Sequence, residues 1–276
     1  MVYQPPYTYL IDGIDVREWT FVSSNLMHLG AAPRSEQISI PGRSGNLLIP
    51  QRNLVLDAPI LDLELAPAAD SPAVLEGMVD RLQMVLMDPN LMVTRIRPYG
   101  DDSRPQRSVQ RAELVSVKPD REDGRAGRWA RWKVQLRLPE VAWRDERPKT
   151  VHILPGLGMR VNGFVGTLPV EDIQIHARGP LTRLQLTDCQ TLTGVTFTGD
   201  ITEDETLTID MDELTAKKTD SAGKTSWVTG GLDFPTGGRL ILAAEAKTKR
   251  MRVDLQLDGA VKGKTDVALE GRRAWV

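Results

Sequence analysis

The sequence predicts a mainly β protein: an N-terminal β-sandwich or split barrel with one packed α-helix, then a β-sandwich without helices. Three observations point there. Apolar and polar residues alternate with period two in many short runs, the mark of antiparallel strands with one wet face. A single segment carries a strong helical stripe. Beyond about residue 150, short alternating runs recur every ~10 residues between Thr, Gly and Asp turns, a spacing that suits a sandwich.

The first strands are separated by recognisable turns. Asp12-Gly13 lies between Leu10-Ile11 and Ile14, where a type I′ hairpin wants two residues of positive φ. Residues 38–49 read ISIPGRSGNLLI. A phosphate loop would need a helix start after its glycines, so that backbone N–H groups converge on the anion. Here Pro50 follows residues 46–49 at once, and no Gly-Lys-Ser/Thr comes after the glycines. Pro41-Gly42 is therefore read as the centre of a type II turn between strands.

Leu61, Leu63 and Leu65 then alternate with Asp62 and Glu64 as a strand. In DSPAVLEGMVDRLQMVLMDP, residues Leu75, Met78, Val79, Leu82, Val85 and Leu86 share one helical face. Ser71 caps it, Pro72 suits its first position and Asp88-Pro89 stops it, giving a helix over 71–87. A long hairpin is expected over 107–138, with strands near 109–117 and 129–138. In its second strand Trp132, Val134, Leu136 and Leu138 face away from Lys133, Gln135 and Arg137, which marks Trp132 as core.

The alternation ends at Pro139, and Trp143 is followed by the charged, proline-bearing RDERPKT. A boundary is expected there, giving domains 1–148 and 149–276. In the second, Leu207, Ile209 and Met211 oppose Thr208, Asp210 and Asp212. Met251, Val253, Leu255 and Leu257 likewise oppose Arg252, Asp254 and Gln256.

Composition narrows the partners. The chain has 276 residues, 41% hydrophobic and 26% charged, as in globular proteins and unlike disordered ones. A net charge of −2 supplies no field drawing the whole molecule to nucleic acid or anionic membrane. Cys189 is the one cysteine, so intrachain disulfides are excluded, which fits a reducing compartment. MVYQPPYTYLIDG has neither a basic start nor an apolar core, so no signal peptide is expected. No run reaches the ~18 apolar residues of a membrane span.

Catalytic templates fail one after another. The three histidines are His28, His152 and His176, and no His-Glu-x-x-His, cysteine pair or Gly-x-Ser-x-Gly occurs, so zinc and serine hydrolases find no support. GLGMRVNG, residues 156–163, lacks the strand-before, helix-after setting of dinucleotide binding. The acidic stretch 200–213 holds seven carboxylates but no EF-hand spacing, and a solvated hairpin accounts for it. Neither catalytic residues, metal ligands nor a cofactor are expected, and an enzyme is the least favoured class. Residues 104–137 carry ten Lys or Arg against four acids. With Trp129 and Trp132 this allows a nucleic-acid reading. The mixed charge of PDREDGRAGR and the inward phase of Trp132 favour an arm pairing with a neighbour's sheet edge.

One family resembles this order of parts. IDGIDV (11–16), IPGRSGNLLI (40–49), the helix 71–87, GTLPVEDIQIHARGP (166–180), ETLTIDMD (205–212) and the closing RRAWV together resemble the distal tail proteins of long-tailed bacteriophages. The likeness spans essentially the whole chain. It implies a structural virion component of the tail tip, assembled in the host cytoplasm. Its N-terminal domains would form a homohexameric ring that joins the tail tube protein to the tail-tip or baseplate protein around a channel for DNA. It also implies a galectin-like C-terminal sandwich. The tape measure protein and a receptor-binding protein are further partners it suggests, with no sequence-specific nucleic acid among them. Arg43 in the Pro-Gly turn is then expected at a ring or tube contact, and Arg125, Arg128 and Arg131 of the basic hairpin at a contact between copies. A carbohydrate-binding module, or another tail tube or adaptor protein, is the alternative. For a sugar platform, Trp227 in GKTSWVTGG is the candidate, a packed tryptophan being the other reading of it.

Overall fold

The computed structural model describes residues 7–24, 37–39, 46–48, 56–97, 107–121, 128–236 and 238–275. Two compact units divide the chain, one reaching Trp143 and the other spanning Arg144–Trp275. Strands dominate both, and α1 is the one α-helix among the described residues.

The first unit opens with β1 (Thr8–Ile11), β2 (Ile14–Asp15) and β3 (Phe21–Ser24), then β4 (Gln37–Ser39), β5 (Asn46–Leu48) and β6 (Ile60–Leu65). Helix α1 (Pro72–Leu86) precedes β7 (Met92–Ile96), β8 (Arg107–Arg111), β9 (Glu113–Arg121) and β10 (Arg131–Arg137). One antiparallel sheet runs β2-β1-β7-β8 and a second runs β3-β6-β10-β9, while β4 and β5 form a hairpin.

Local chemistry explains the turns. Asp12 and Gly13 take φ of 48° and 79°, the pair of positive values a type I′ turn requires, and Ile11 pairs with Ile14 across it. The Asp12 carboxylate accepts the Met92 N–H at 2.7 Å, so the turn residue also fixes the start of β7. Ser71 accepts the Val74 N–H at 3.4 Å and caps α1, with Pro72 in its first turn. Leu75, Leu82 and Leu86 bury the inner stripe of the helix. Tyr9, Ile11, Leu61, Leu63, Leu65, Val134 and Leu136 are at most 1% exposed, and removing each such side chain from water contributes about 1.5–3 kcal/mol. Trp132 pairs with Leu65 on that apolar face but is only half-buried.

The long hairpin expected over 107–138 is shorter than the alternation suggests. Residues 107–111 pair with β7, whereas β9 pairs with β10. Between them Ala112 donates its N–H to the Leu91 carbonyl at 2.9 Å, and there the chain passes from one sheet to the other. Ser108, Gln110 and Ala112 are all buried. The inward phase therefore continues through the switch, and nothing in the local pattern marks it.

Strand β11 (Trp143–Asp145) crosses the division. The second unit contains β12 (Lys149–Ile153), β13 (Gly156–Arg160), β14 (Gln174–Arg178), β15 (Leu181–Asp188), β16 (Gly194–Ile201) and β17 (Thr206–Asp210). It continues with β18 (Thr215–Thr219), β19 (Thr225–Trp227), β20 (Leu232–Asp233), β21 (Arg252–Asp258), β22 (Asp266–Gly271) and β23 (Ala274–Trp275). Its sheets run β12-β22-β14-β17-β18-β19 and β13-β21-β15-β16-β20. Ile175, Leu207, Ile209 and Leu269 of the first and Leu184, Leu186, Val195 and Val253 of the second are fully buried, as the alternation predicts.

The end of this unit is tied down by close approach and by charge. A Cβ on Gly166 would lie 2.1 Å from the Ala274 carbonyl oxygen, so only glycine lets the chain pass there. Thr167 and Leu168 then donate their N–H groups to that same oxygen at 2.9 and 3.1 Å. Asp145, 5% exposed, accepts the Arg273 guanidinium at 2.6 Å and the Trp275 indole N–H at 2.7 Å. Asp172 accepts Arg144 at 2.6 Å and Arg272 at 3.1 Å. The GTLP and RRAWV motifs therefore act together as a clasp.

Candidate functional site

Among the described residues no three His, Cys, Asp or Glu side chains gather to hold a metal. The candidate surfaces are sheet edges, exposed apolar side chains and grooves.

In the first unit, β9 is the edge of its sheet, paired with β10 alone among the described strands. Pro119 has no N–H to give a ladder, which suits an edge position. The pairing slips between Leu114 and Ser116, leaving Val115 at the bulge 42% exposed. Of the four arginines expected to make contacts, the structure describes two. Arg128 is exposed. Arg131 instead pairs within the chain to Glu64 of β6, whose carboxylate also accepts the Ser23 hydroxyl at 2.8 Å. That side chain joins three strands of one sheet. Arg43 and Arg125 lie outside the described residues, as does the Pro41–Gly45 turn. The flanks of that turn do pair antiparallel, Ser39 opposite Asn46, so the segment joins strand to strand, as the turn reading needs and a phosphate loop does not.

A second feature of this unit escaped sequence reasoning. The outer face of α1 exposes Val74 at 56%, Met84 at 73% and Met87 at 72%. Gly77 lies among them with open space where a Cβ would stand. The sequence carries the signal, since Met84 and Met87 fall off the buried stripe, but apolar residues opposite a stripe have no period of their own.

In the second unit, Trp227 ends the three-residue edge strand β19 and is 68% exposed, so the packed reading of this tryptophan does not hold. It borders a groove of about 490 Å³ shared with Phe197, Asp200, Lys218 and Gly230. A smaller hollow of about 320 Å³ is lined by Asp172, Asp210 and Glu270, but its carboxylates are already engaged. Asp172 holds two arginines, and Asp210 accepts the Gln174 amide at 2.9 Å and the Asp212 and Glu213 N–H groups. Cys189 donates its thiol to Asp254 at 3.3 Å. Partial burial first, then the Asp254 and Asp188 carboxylates, push the thiol up to about 11, which makes it a poor nucleophile at neutral pH. His152 and His176 stand on the outer face of their sheet, facing Asp266 at 3.0 Å and Thr208 at 3.3 Å.

No protein-family model and no curated protein sequence matches the chain. Its fold does match solved structures. The SPP1 Dit (gp 19.1) protein, described as a paradigm of the hub adsorption apparatus in phages infecting Gram-positive bacteria, aligns with a TM-score of 0.68. The alignment covers 98% of this chain and 99% of that one at 9% identity. A chain of the phage P2 baseplate in its activated conformation with Ca aligns at a TM-score of 0.51, over 97% and 98% of the two chains, at 11% identity. At such identities the likeness is one of fold. The chain has the mainly β, Dit-like architecture that the resemblance implied.

Proposed function

We propose that this chain is a distal tail protein, a structural hub of a bacteriophage tail tip. Copies close head to tail into a homohexameric ring through their N-terminal units, around a channel wide enough for DNA. The ring joins the tail tube protein on one side to the tail-tip or baseplate protein on the other, with the tape measure protein and a receptor-binding protein as further neighbours. In this reading the C-terminal unit is a galectin-like sandwich on the outside, and the work of the protein is mechanical, not catalytic.

The observation that carries the proposal is the fold match to a hub protein over nearly all of both chains. The first unit supplies what a self-assembling body needs. An edge strand of nine residues and an apolar helix face are the kinds of surface that a second copy covers, and closed rotational symmetry uses two different patches on each copy.

Solution mass tests this directly. The expected particle is six times the 30.6 kDa chain mass, seen as an open ring in electron micrographs. A monomer at all concentrations, with no ring on addition of tube protein, overturns it. Reversing Arg125 and Arg128 to Glu is expected to shift the mass toward smaller species. Reversing Arg131 is expected to act differently and destabilise the fold, because it breaks the pair with Glu64.

A further inference from the structure

Gly77 has no reason within its own chain. It sits inside α1, where glycine costs about 1 kcal/mol against alanine. Its φ is not positive, and no atom lies within 4 Å of where its Cβ would be. A glycine that neither a turn nor a tight interior demands leaves room for another backbone to come close. Beside this gap, Met84 and Met87 are exposed, and so are Glu76 and Asp80, one helical turn apart. Like charges at i and i+4 destabilise a helix, and among the described residues no hydrogen bond or ion pair engages either carboxylate. The one cation of α1, Arg81, is already met by Glu18 at 3.1 Å. The outer face of the helix is therefore apolar, acidic and notched.

The β9 edge carries the complement. Lys118 is exposed and stands opposite Lys133 in the ladder, a like-charge pairing that costs stability. Among the described residues no carboxylate pairs with Lys118. Val115 projects from the bulge on the same edge. That bulge, and the missing N–H of Pro119, spoil β9 as a template for a further strand; a covering helix is another way to close such an edge. The spacings agree as well. Val115 to Lys118 spans about 10 Å of strand, and Asp80 to Met87 spans about 10 Å of helix.

We propose that the β9 edge of one copy lies along α1 of the next. Lys118 sits between Glu76 and Asp80, Val115 packs on Met87, and the strand backbone passes over the Gly77 gap. This contact rests on the ring reading above and names the two patches that meet in it. The occupant of the helix face is a second copy because the same chain carries both halves, one basic and one acidic. Edge and helix are different surfaces of one unit, so the contact is head to tail, the kind that closes a ring. The charges fix its register, and Lys118 relieves the repulsion between the two helix carboxylates.

Sedimentation velocity on the full chain, over a range of concentrations, tests the contact. Glu76→Lys with Asp80→Lys, and separately Lys118→Glu, should each weaken association at least about tenfold. Every contact contains both patches, so the three substitutions combined in one chain should bring association back to within about threefold of wild type. Gly77→Leu fills the gap with a better helix former. It should weaken association at least about tenfold while the far-ultraviolet circular dichroism of the folded chain is retained. A ring that withstands the charge reversals, or one as tight with Leu at position 77, overturns the contact and leaves the ring reading standing. Reversals that weaken the ring without recovery in the combined chain overturn it too, and assign the two patches to different contacts. A wild-type chain that stays monomeric, alone and with tube protein, overturns both.

Discussion

The two units differ most in the polar groups they bury. The C-terminal unit buries carboxylates that are answered from several sides. Asp145 meets Arg273 and Trp275. Asp188, with no exposure at all, accepts the Gln190 and Thr191 N–H groups, the Thr191 hydroxyl and the Ala243 N–H. The N-terminal unit instead buries donors on one face of a sheet. Arg95 and Arg97 are 5% and 7% exposed, Ser108 is 0% and Gln110 is 1%. Arg95 lies opposite Tyr9 and Ser108 in the ladder and stacks 4.4 Å over the Trp143 ring. The Ser108 hydroxyl and both polar atoms of the Gln110 amide have no hydrogen-bond partner, and each such group costs roughly 1–3 kcal/mol when left unmet. The C-terminal unit leaves the Thr196 hydroxyl unmet, so the contrast lies between carboxylates met from several sides in one unit and a buried hydroxyl and amide left unmet on one sheet face in the other.

The largest test of that contrast is Asp145→Ala. It leaves a nearly buried Arg273 without its counter-charge, and breaking one side of such a pair costs about 3–5 kcal/mol. Urea unfolding should show the loss in full for Ala and less for Asp145→Asn, which keeps an acceptor for the Trp275 indole. A loss under about 1 kcal/mol would rank the clasp with ordinary surface pairs and dissolve the contrast. Next comes Cys189. With its thiol pushed up to about 11, the folded protein should react with iodoacetamide at pH 8 roughly ten- to a hundredfold more slowly than the urea-unfolded chain. The linkage has a definite sign. The folded thiol keeps its proton while the unfolded one, with a model value of 9.0, ionises, so any contribution of this group to stability is present below pH 9 and is lost as pH rises from about 9 to about 11. Equal rates in folded and unfolded protein would show that the Asp254 contact does not persist in solution.

The parts of the fold that were legible in the sequence are those set by neighbours in the chain. Asp12-Gly13, the Ser71-Pro72 start of the helix and the alternation of Leu207, Ile209 and Met211 each state their conformation within a few residues. What stayed hidden depends on distant partners. Arg131 reads as a free surface cation until Glu64, on another strand, is placed beside it. Trp275 reads as one more apolar residue until Asp145 arrives to take its N–H. Ala112 carries the inward phase of both its neighbours, so the change of sheet leaves no local trace. Trp227 was a candidate for its polar neighbours in GKTSWVTGG, and its exposure follows from the brevity of an edge strand that period-two patterning cannot measure. The Gly230 and Asp200 walls of its groove come from elements about thirty residues apart, which no motif spans.

Gln110 sharpens the contrast from the other side. Gln110→Met keeps the length of the side chain and removes both unmet polar atoms, so the isolated chain should gain about 1–2 kcal/mol. A destabilised variant would show that the amide finds a partner in solution, and the two interiors would then be alike. The smallest effect belongs to Ser71. Its hydrogen bond to the Val74 N–H is long, 3.4 Å, and Ser71→Ala should cost only about 0.5–1 kcal/mol. The helix is held chiefly by Leu75, Leu82 and Leu86 against the N-terminal core. Leu82→Ala, by comparison, should cost about 2–5 kcal/mol. If the cap proved as costly as the leucine, α1 would owe its place to its own first turn, and its exposed outer face would lose its standing as a surface held rigid for a second copy.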